Sequence, residues 1–294
     1  MKIIRITKET MHWFETLLPT DLTGRTANGE PLFFLGAVEE KTACGVLAFT
    51  AGEIAEIEYL AVSDPFRRHG AANALLDCLC RRAARSLIPV FCTFAAADKT
   101  DPLYLLFAER EDFTVIGLEG RRVRVTREQI DRCGALAKIE ARGISCERFF
   151  DRPGWAQKAF LTELRRRNLF YLDDDTIWRS LVKPLCLTIG ADDRLRAAVF
   201  IGRGPNEWEL TLPFAWCAPD CGGALIALFS ALRRELLLEM PQGGVLTIDA
   251  VEPSAYGIVN KLFPQAEEEA RYFEAVLDMD YVWGGTYDAG NDEE

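Results

Sequence analysis

A cluster of cationic and very small residues lies in the stretch DPFRRHGAANALL, residues 64–76. Three side chains that carry or can gain positive charge are followed by three residues with almost no side chain, namely Arg67, Arg68, His69, Gly70, Ala71 and Ala72. Free N–H groups at the start of a helix bind anions, and small residues let a phosphate come close to them. The stretch therefore predicts a pyrophosphate site, held mainly by main-chain amides and partly by the arginines.

The neighbouring residues predict the elements that would position this turn. The run 54–62 reads as a strand, and 71–87 has apolar residues at helical spacing with arginines on the opposite face. The run 89–96 reads as a second buried strand, so the three elements form a βαβ unit with parallel pairing. A helix over 101–111 follows.

The remaining residues of the first half predict a mixed α/β domain with a central, mostly antiparallel twisted sheet and helices on both faces. Runs 31–40, 42–52 and 54–62 are separated by turn-length breaks, as in an antiparallel meander. The chain begins with a strand over 2–6 and a capped helix over 7–18, and 113–126 reads as a strand pair.

A second copy of this order is predicted in the second half. It has a meander from 185–190, 195–202 and 206–216, then a helix at 221–240, a strand at 244–251, a helix at 253–263 and a strand at 269–279. We predict one domain over 1–127, a linker over 128–145, a second domain over 146–283 and a disordered tail over 284–294. The alternative is that any two α/β halves look alike.

The charge balance excludes some partners. The chain of 294 residues has a net charge of −11, nearly all of it in residues 128–294. Such a surface repels nucleic acid and suits a cationic partner, although acidity also serves solubility alone. No apolar run approaches the length of about 20 residues that crosses a bilayer, so we expect no membrane association.

Cysteine and histidine usage argues against a metal site. The nine cysteines are scattered through apolar runs, and the only histidines are His12 and His69. Cys217 and Cys221 have no second cysteine pair or histidine near them in sequence, so a zinc site is not predicted. Free thiols and the absence of a signal-peptide core near Met1 predict a cytoplasmic protein.

The pattern Arg67-x-x-Gly70-x-Ala72 resembles the Q/R-x-x-G-x-G/A signature of the GNAT superfamily of acyl-CoA-dependent acyltransferases. It follows a strand reading IEYLAV and precedes a helix reading ANALLDCLCRRA, as it does in that family. The resemblance covers residues 1–126, and the second half resembles a diverged copy of the same fold. It implies two GNAT-like domains, of which the second is degenerate and is not expected to hold CoA.

The resemblance also implies a mechanism. Acyl-CoA, here acetyl-CoA, would lie between strands 54–62 and 89–96, with its pantetheine arm paired to the main chain of Leu60, Ala61 and Val62. An amine would attack the thioester directly, without a covalent enzyme intermediate. A carboxylate would accept the amine's proton, and the candidates are Glu56 and Glu58, which share a face if the strand is regular. Both side chains could instead solvate an open sheet face.

Two positions depart from the family pattern. In alignment with the family's later helix, Asp101 stands in the slot of a cofactor-binding asparagine and Ala108 in the slot of the tyrosine that protonates the leaving thiolate. Tyr104 lies one turn earlier on the same face and is a candidate acid, or a core aromatic. Without it, the thiolate can take its proton from water.

Two functions from different classes remain. The first is an N-acetyltransferase acting on a primary amine of a small molecule or peptide, with a cationic small molecule as a candidate acceptor. The second is a non-catalytic CoA-binding sensor or scaffold, which the missing tyrosine favours. The second half would wall the acceptor site, pack against the first half or form a homodimer. No metal, triad or redox constellation supports unrelated chemistry.

Overall fold

The computed structural model describes residues 1–19, 22–23, 31–140, 146–166, 175–191, 194–219 and 221–279. The predicted tail 284–294, and residues 141–145 of the predicted linker, lie outside these ranges. The strands are β1 (Lys2–Arg5), β2 (Leu32–Glu39), β3 (Thr42–Ala51), β4 (Ala55–Val62), β5 (Val90–Ala96), β6 (Phe113–Thr126), β7 (Glu147–Arg148), β8 (Leu187–Ala191), β9 (Arg194–Arg203), β10 (Glu209–Cys217), β11 (Val245–Ala250) and β12 (Glu267–Leu277).

The α-helices include four that the sequence predicts, in the stretches 71–87, 101–111, 221–240 and 253–263, and four between residues 127 and 180 that it does not predict. They are α1 (Ala71–Arg85), α2 (Pro102–Ala108), α3 (Arg127–Arg132), α4 (Gly134–Glu140), α5 (Gly154–Arg166), α6 (Asp175–Ser180), α7 (Gly222–Glu239) and α8 (Pro253–Leu262). The mixed α/β architecture is therefore confirmed.

The chain divides into two compact units, and the first of them is made of two stretches that are separated in the sequence. Unit 1 contains Met1–Leu118 and the C-terminal stretch from Arg271, and unit 2 contains Glu119–Ala270. Strand β6 begins in unit 1 and ends in unit 2, whereas β12 begins in unit 2 and ends in unit 1. The division into domains 1–127 and 146–283 stays a prediction.

Unit 1 has a sheet in the order β1-β2-β3-β4-β5-β12. Neighbouring strands are antiparallel except β4 and β5, which are parallel as the βαβ reading predicts. The apolar stripe of α1, formed by Leu75, Leu76 and Leu79, is completely or almost completely buried on one face of this sheet. We call the packing on this face the α1 cluster; it includes Ile57 of β4 and Phe94 of β5.

The opposite face of unit 1 is covered near the chain's start. Phe14, which has no exposed surface, packs with Phe34 of β2 and Val46 of β3 in what we call the Phe14 cluster. Residues 11–14 form one 3-10 helix rather than the helix predicted over 7–18. Thr7 accordingly hydrogen-bonds Thr10 in a turn instead of capping a long helix.

Unit 2 repeats the arrangement with different residues. Its sheet has the order β6-β11-β10-β9-β8-β7, and only β10 and β11 are parallel. Helix α7 packs Leu228 and Leu232 against this sheet with no exposed surface. A meander, a helix, a parallel strand, a further helix and an antiparallel partner strand recur in both units, which supports an internal duplication.

The predicted strand pair over 113–126 is wrong, because these residues form the single strand β6. Its last residues, Arg121–Thr126, pair with β11, and the partner of β5 is instead β12, through Arg271–Val276. The strand predicted at 269–279 exists, but it completes the sheet of unit 1.

The first prediction tests whether β12 belongs to unit 1. Phe273, which is 7% exposed, stacks on Phe94 and meets the edge of Tyr104. Phe273→Ala should lower the free energy of unfolding by about 3–5 kcal/mol through the cavity it leaves, measured by urea unfolding. Hydrogen exchange should accelerate at the amides of β5. Ile116→Ala, at a side chain that is 48% exposed, is the control. Unchanged exchange in β5 would contradict the assignment.

Candidate functional site

A β-bulge at Glu58 changes which side chains of β4 point to each face of the sheet. Phe49 of β3 faces Ile57, and the preceding residue of β3, Ala48, faces Tyr59, so Glu58 is one extra residue. Ile57 packs in the α1 cluster, whereas Tyr59 packs in the Phe14 cluster. The strand is therefore not regular, and the premise that placed both glutamates on one face fails at this residue.

Strands β4 and β5 pair only at their beginnings. The parallel register joins Ala55 to Val90 and Glu56 to Phe91, and it stops there. The other edge of β5 is bound to β12, and the other edge of β4 is bound to β3. Because main-chain groups alternate in direction along a strand, part of the polar backbone of Leu60–Val62 points into the gap that opens after Glu56. This gap can take a chain of amides such as pantetheine.

The turn before α1 is open and has no side-chain cap. Gly70 is the N-cap residue with a φ of 83°, in the left-handed region that glycine tolerates best. The first helical bond runs from the N–H of Ala74 to the carbonyl of Gly70, 2.9 Å. The N–H groups of Ala71, Ala72 and Asn73 thus have no acceptor within the helix. A Cβ placed on Gly70 would meet nothing within 4 Å, so the space beside the α-carbon of Gly70 is open.

The cationic residues of the turn differ in their contacts. Arg67 donates from Nε to the carbonyl of Val62 at 3.4 Å and pairs through Nη2 with Asp64 at 2.9 Å. That ion pair is highly exposed, so it is weak and can be exchanged for a phosphate. Arg68, with a φ of 61°, and His69 are exposed beside the amides. Among the residues that the structure describes, Arg68 has no ion-pair partner.

The two candidate bases lie near the gap. Glu56 is half-buried and Glu58 exposed. Burial, and then the charges of these two glutamates, raise the pKa of the Cys92 thiol on β5 to about 12. The charges of both carboxylates thus influence a thiol on β5.

A third acidic residue comes from β12, which the sequence reading assigned to the second domain. Glu274 faces Thr93 of β5. Cys92 and Phe94 pack in the α1 cluster, so the intervening Thr93 and its neighbour Glu274 lie on the opposite face, as Glu56 does. Only the pairing of β12 with β5 reveals Glu274, because nearly 220 residues separate it from Glu56 in the sequence.

Tyr104 is on the other side of the sheet from Glu56. Its ring packs edge-on against Phe273 at 4.9 Å and belongs to the border of the α1 cluster. In the described part of the chain its hydroxyl has no hydrogen-bond partner. The structure thus brings Tyr104 together with the core aromatics rather than with the candidate base.

Asp101 acts as the cap of α2. Its Oδ1 accepts from the N–H of Leu103 at 2.9 Å, and its Oδ2 accepts from the N–H of Ala97 at 3.4 Å. Both carboxylate oxygens are thus engaged by main chain, which accounts for an acidic residue at this position. Its predicted contact with the cofactor stays a prediction.

An ion-pair network that the sequence reading missed holds α1 in place. Arg110 binds the buried Asp112 through two nitrogens, at 2.9 and 2.6 Å, and reaches Asp77 of α1 at 2.8 Å. Burial disfavours its charge, but the hydrogen bonds of both carboxylates outweigh this and raise the pKa of Arg110. Arg110 also contacts Asn73 in the first turn of α1, at 3.4 Å, so the network reaches the open amides.

The corresponding turn of unit 2 is different. Cys221 is the N-cap of α7 and accepts a contact from Nη1 of Arg196 at 3.8 Å, and Asp220 lies outside the described residues. Strand β10 has an irregular register between Thr211 and Phe214, around Pro213. That this unit does not hold CoA stays a prediction.

The described residues contain neither a candidate metal site nor a candidate membrane-spanning helix. No group of three or more histidine, cysteine, aspartate or glutamate side chains there could hold a metal ion. None of the described helices has the length and apolar character needed to cross a membrane.

Comparisons with known proteins agree with this geometry. Residues 2–105 match the model of the acetyltransferase (GNAT) family. The fold of the chain is similar to that of a tandem GNAT protein from the clavulanic acid biosynthesis pathway, at 13% identity and a TM-score of 0.58, covering 95% of this chain and 98% of that one. A comparison with curated proteins finds no match.

Two further solved structures share the fold. A GCN5-related N-acetyltransferase from Kribbella flavida is 14% identical with a TM-score of 0.52, covering 93% of this chain and 71% of that one. A second, from Anabaena variabilis, is 13% identical with a TM-score of 0.54, covering 93% and 72%. At these identities the likeness establishes the fold, with two GNAT-like halves.

The second prediction concerns alkaline pH. In the folded chain, burial and the charges of Glu56 and Glu58 raise the pKa of the Cys92 thiol from 9.0 to about 12. The unfolded chain loses that proton first, so the stability due to this group is present below pH 9 and is lost as the pH rises toward 12. Cys92→Ala should reduce the fall in unfolding free energy between pH 8 and 10.5, and Cys78→Ala is the control. An equal fall in Cys92→Ala would refute the assignment.

Proposed function

We propose that this chain, whose residues 2–105 match the model of the acetyltransferase (GNAT) family, transfers an acetyl group from acetyl-CoA to a primary amine. The observation that carries the proposal is the open turn at Gly70 beside a gap between two parallel strands. A pyrophosphate fits the three open amides of α1, and a pantetheine arm fits the gap between β4 and β5 that opens after Glu56. The two features together suit one elongated thioester.

The acyl-CoA would be held largely by main chain. Its pyrophosphate would accept hydrogen bonds from the amides of Ala71–Asn73, with Arg68 and His69 adding positive charge. Arg67 would exchange Asp64 for a phosphate oxygen. Pantetheine amides would pair with Leu60–Val62, and a strand amide in the gap would stabilise the oxyanion.

The chemical step is direct attack. The amine nitrogen bonds to the thioester carbon, the C–S bond breaks, and the sulfur leaves as the thiolate of CoA. Glu56 accepts the proton that the amine loses, directly or through a water. Glu274, which lies on the same face of the sheet as Glu56, adds negative charge on the amine's side. The thiolate takes its proton from water or from Tyr104, whose hydroxyl has no other partner in the described residues.

Three acidic side chains around the gap favour a cationic small-molecule acceptor over an anionic one. Their charge holds an ammonium group until it loses its proton. All nine cysteines are free thiols, which suits a reducing compartment such as the cytoplasm. Unit 2 repeats the fold without the cationic turn, and a homodimer or a wall for the acceptor remain its proposed roles.

The alternative is a CoA-binding sensor without turnover. The packing of Tyr104 against Phe273 and the alanine at 108 favour it, because no side chain is then aimed at the leaving sulfur. Release of free thiol from acetyl-CoA across a panel of amines separates the two functions. Binding of acetyl-CoA without thiol release on any amine would establish the sensor.

The third prediction tests the anion site. Ala72→Glu places a carboxylate among the open amides of α1, where it competes with the pyrophosphate. The affinity for CoA should fall at least about tenfold, measured by calorimetry. Ala84→Glu, at the other end of the same helix, is the matched control and should leave the affinity unchanged. Equal affinities in both variants would place the pyrophosphate elsewhere.

The fourth prediction tests the base. Glu56→Gln should lower kcat by about 10²–10⁴-fold and leave the affinity for acetyl-CoA unchanged, because the amide cannot accept the proton. Glu53→Gln, in the exposed turn before β4, is the control. Thiol release at saturating amine gives the measurement. If Glu56→Gln retains full kcat and Glu58→Gln does not, the base is Glu58 instead.

A further inference from the structure

A second cavity lies in unit 1, at the end of α1 that is remote from Gly70. It has a volume of about 260 Å³. The last turns of α1 and the adjacent ends of β2, β3 and β4 form its walls. Its lining includes Arg5, Phe33, Phe49, Leu79, Arg82 and Ala83.

This cavity is distinct from the proposed acyl-CoA site. Arg82 is 11 residues after Ala71, which is about 16 Å along a helix. The cavity also touches Ala55 at the start of β4, whose side chain packs in the α1 cluster. Glu56, the next residue, points to the opposite face of the sheet. A ligand in the cavity would therefore meet neither the open amides nor the candidate base.

The walls suit a flat apolar group. Phe33 and Phe49 stack at 5.7 Å with an angle of 29° between their planes, and both line the cavity. Leu79, which is 2% exposed, and Ala83, which is 5% exposed, lie on the helix side. An apolar cavity of about 150 Å³ already holds benzene. The larger volume here accommodates a ring and a short polar arm.

The rim of the cavity is positively charged without compensation. The guanidinium of Arg5 lies 5.8 Å from the centroid of Phe33, and Arg82 is exposed on α1. Within the described ranges, neither arginine has a carboxylate within 4.0 Å, and no acidic residue lines the cavity. Among the described residues these two arginines lack a carboxylate partner, although the chain has a net charge of −11 and many acidic side chains. The charge complement of this rim is an anion.

We propose that the cavity binds a small aryl carboxylate. The ring lies against the Phe33–Phe49 pair and Leu79, where it is removed from water. The carboxylate accepts hydrogen bonds from Arg5 and Arg82 at the rim, a pairing that the planar guanidinium favours. The ligand is a second small molecule, bound independently of acyl-CoA and of the amine acceptor.

Calorimetry or ligand-observed NMR with the full chain tests this proposal, in the absence of acyl-CoA. Benzoate and phenylacetate are the probes. Benzyl alcohol supplies the ring without the charge, acetate the charge without the ring, and benzylamine the opposite charge. We expect the two aryl carboxylates to bind at least about tenfold more tightly than each of the other three.

Variants of single arginines locate the site. Arg82→Gln and Arg5→Gln should each weaken benzoate at least about tenfold, whereas Arg81→Gln, on the same helix but outside the cavity lining, should not. Ala83→Leu fills the cavity and should abolish binding while the chain stays folded by circular dichroism. Equal affinity for benzoate and benzyl alcohol, or equal losses in Arg81→Gln and Arg82→Gln, would overturn the proposal. None of these measurements depends on acyl transfer. A negative result here would therefore leave the proposed acetyltransferase function untouched.

Discussion

Main-chain N–H and C=O groups that have no neighbouring strand need other hydrogen-bond partners. This requirement applies in unit 1 to the gap between β4 and β5. Two parallel residue pairs hold the strands together at Ala55 and Glu56, after which they separate. Each strand keeps its sheet bonds on the outer edge only, β4 to β3 and β5 to β12. A ligand that carries its own amides is the natural occupant of such an opening.

The opening depends on supports on both sides. On one side, the extra residue in β4 shifts the alternation of its side chains. As a result, Leu60 and Val62 after the bulge face α1, as Ala55 and Ile57 do before it. On the other side, Arg110 links α1 to the buried Asp112. The turn at Gly70 is thus held by the helix that follows it, and its amides can stay open without a side-chain cap.

The local features of this site could be predicted from the sequence. Strand 54–62, helix 71–87 and strand 89–96 were close to the observed bounds, because each has a clear apolar period and a turn at each end. The bulge at Glu58 could not be predicted, since its cause is the register with β3 rather than a glycine or proline in β4. The cap formed by Asp101 was also hidden, because an aspartate before a proline suits a ligand contact as well as a helix start.

The strand that pairs with β5 could not be predicted from the sequence, for a different reason. The period of residues 269–279 indicates a strand, and it contains no information on which sheet receives that strand. Proximity in sequence favoured β6 as the neighbour of β5, as is usual for consecutive strands. Because β12 rather than β6 pairs with β5, the structure adds Glu274 to the candidate site, and the sequence alone offers no reason to include it.

The same exchange has a consequence for biosynthesis. A ribosome that has completed Leu118 must add more than 150 residues before Arg271 emerges, which takes about 8–30 s at about 5–20 residues per second. During this interval β5 presents an uncovered edge, which is a template for pairing with other chains. The sheet of unit 1 is thus complete only after β12 has been synthesised, and a chain that terminates earlier would expose the edge of β5 and be prone to aggregation.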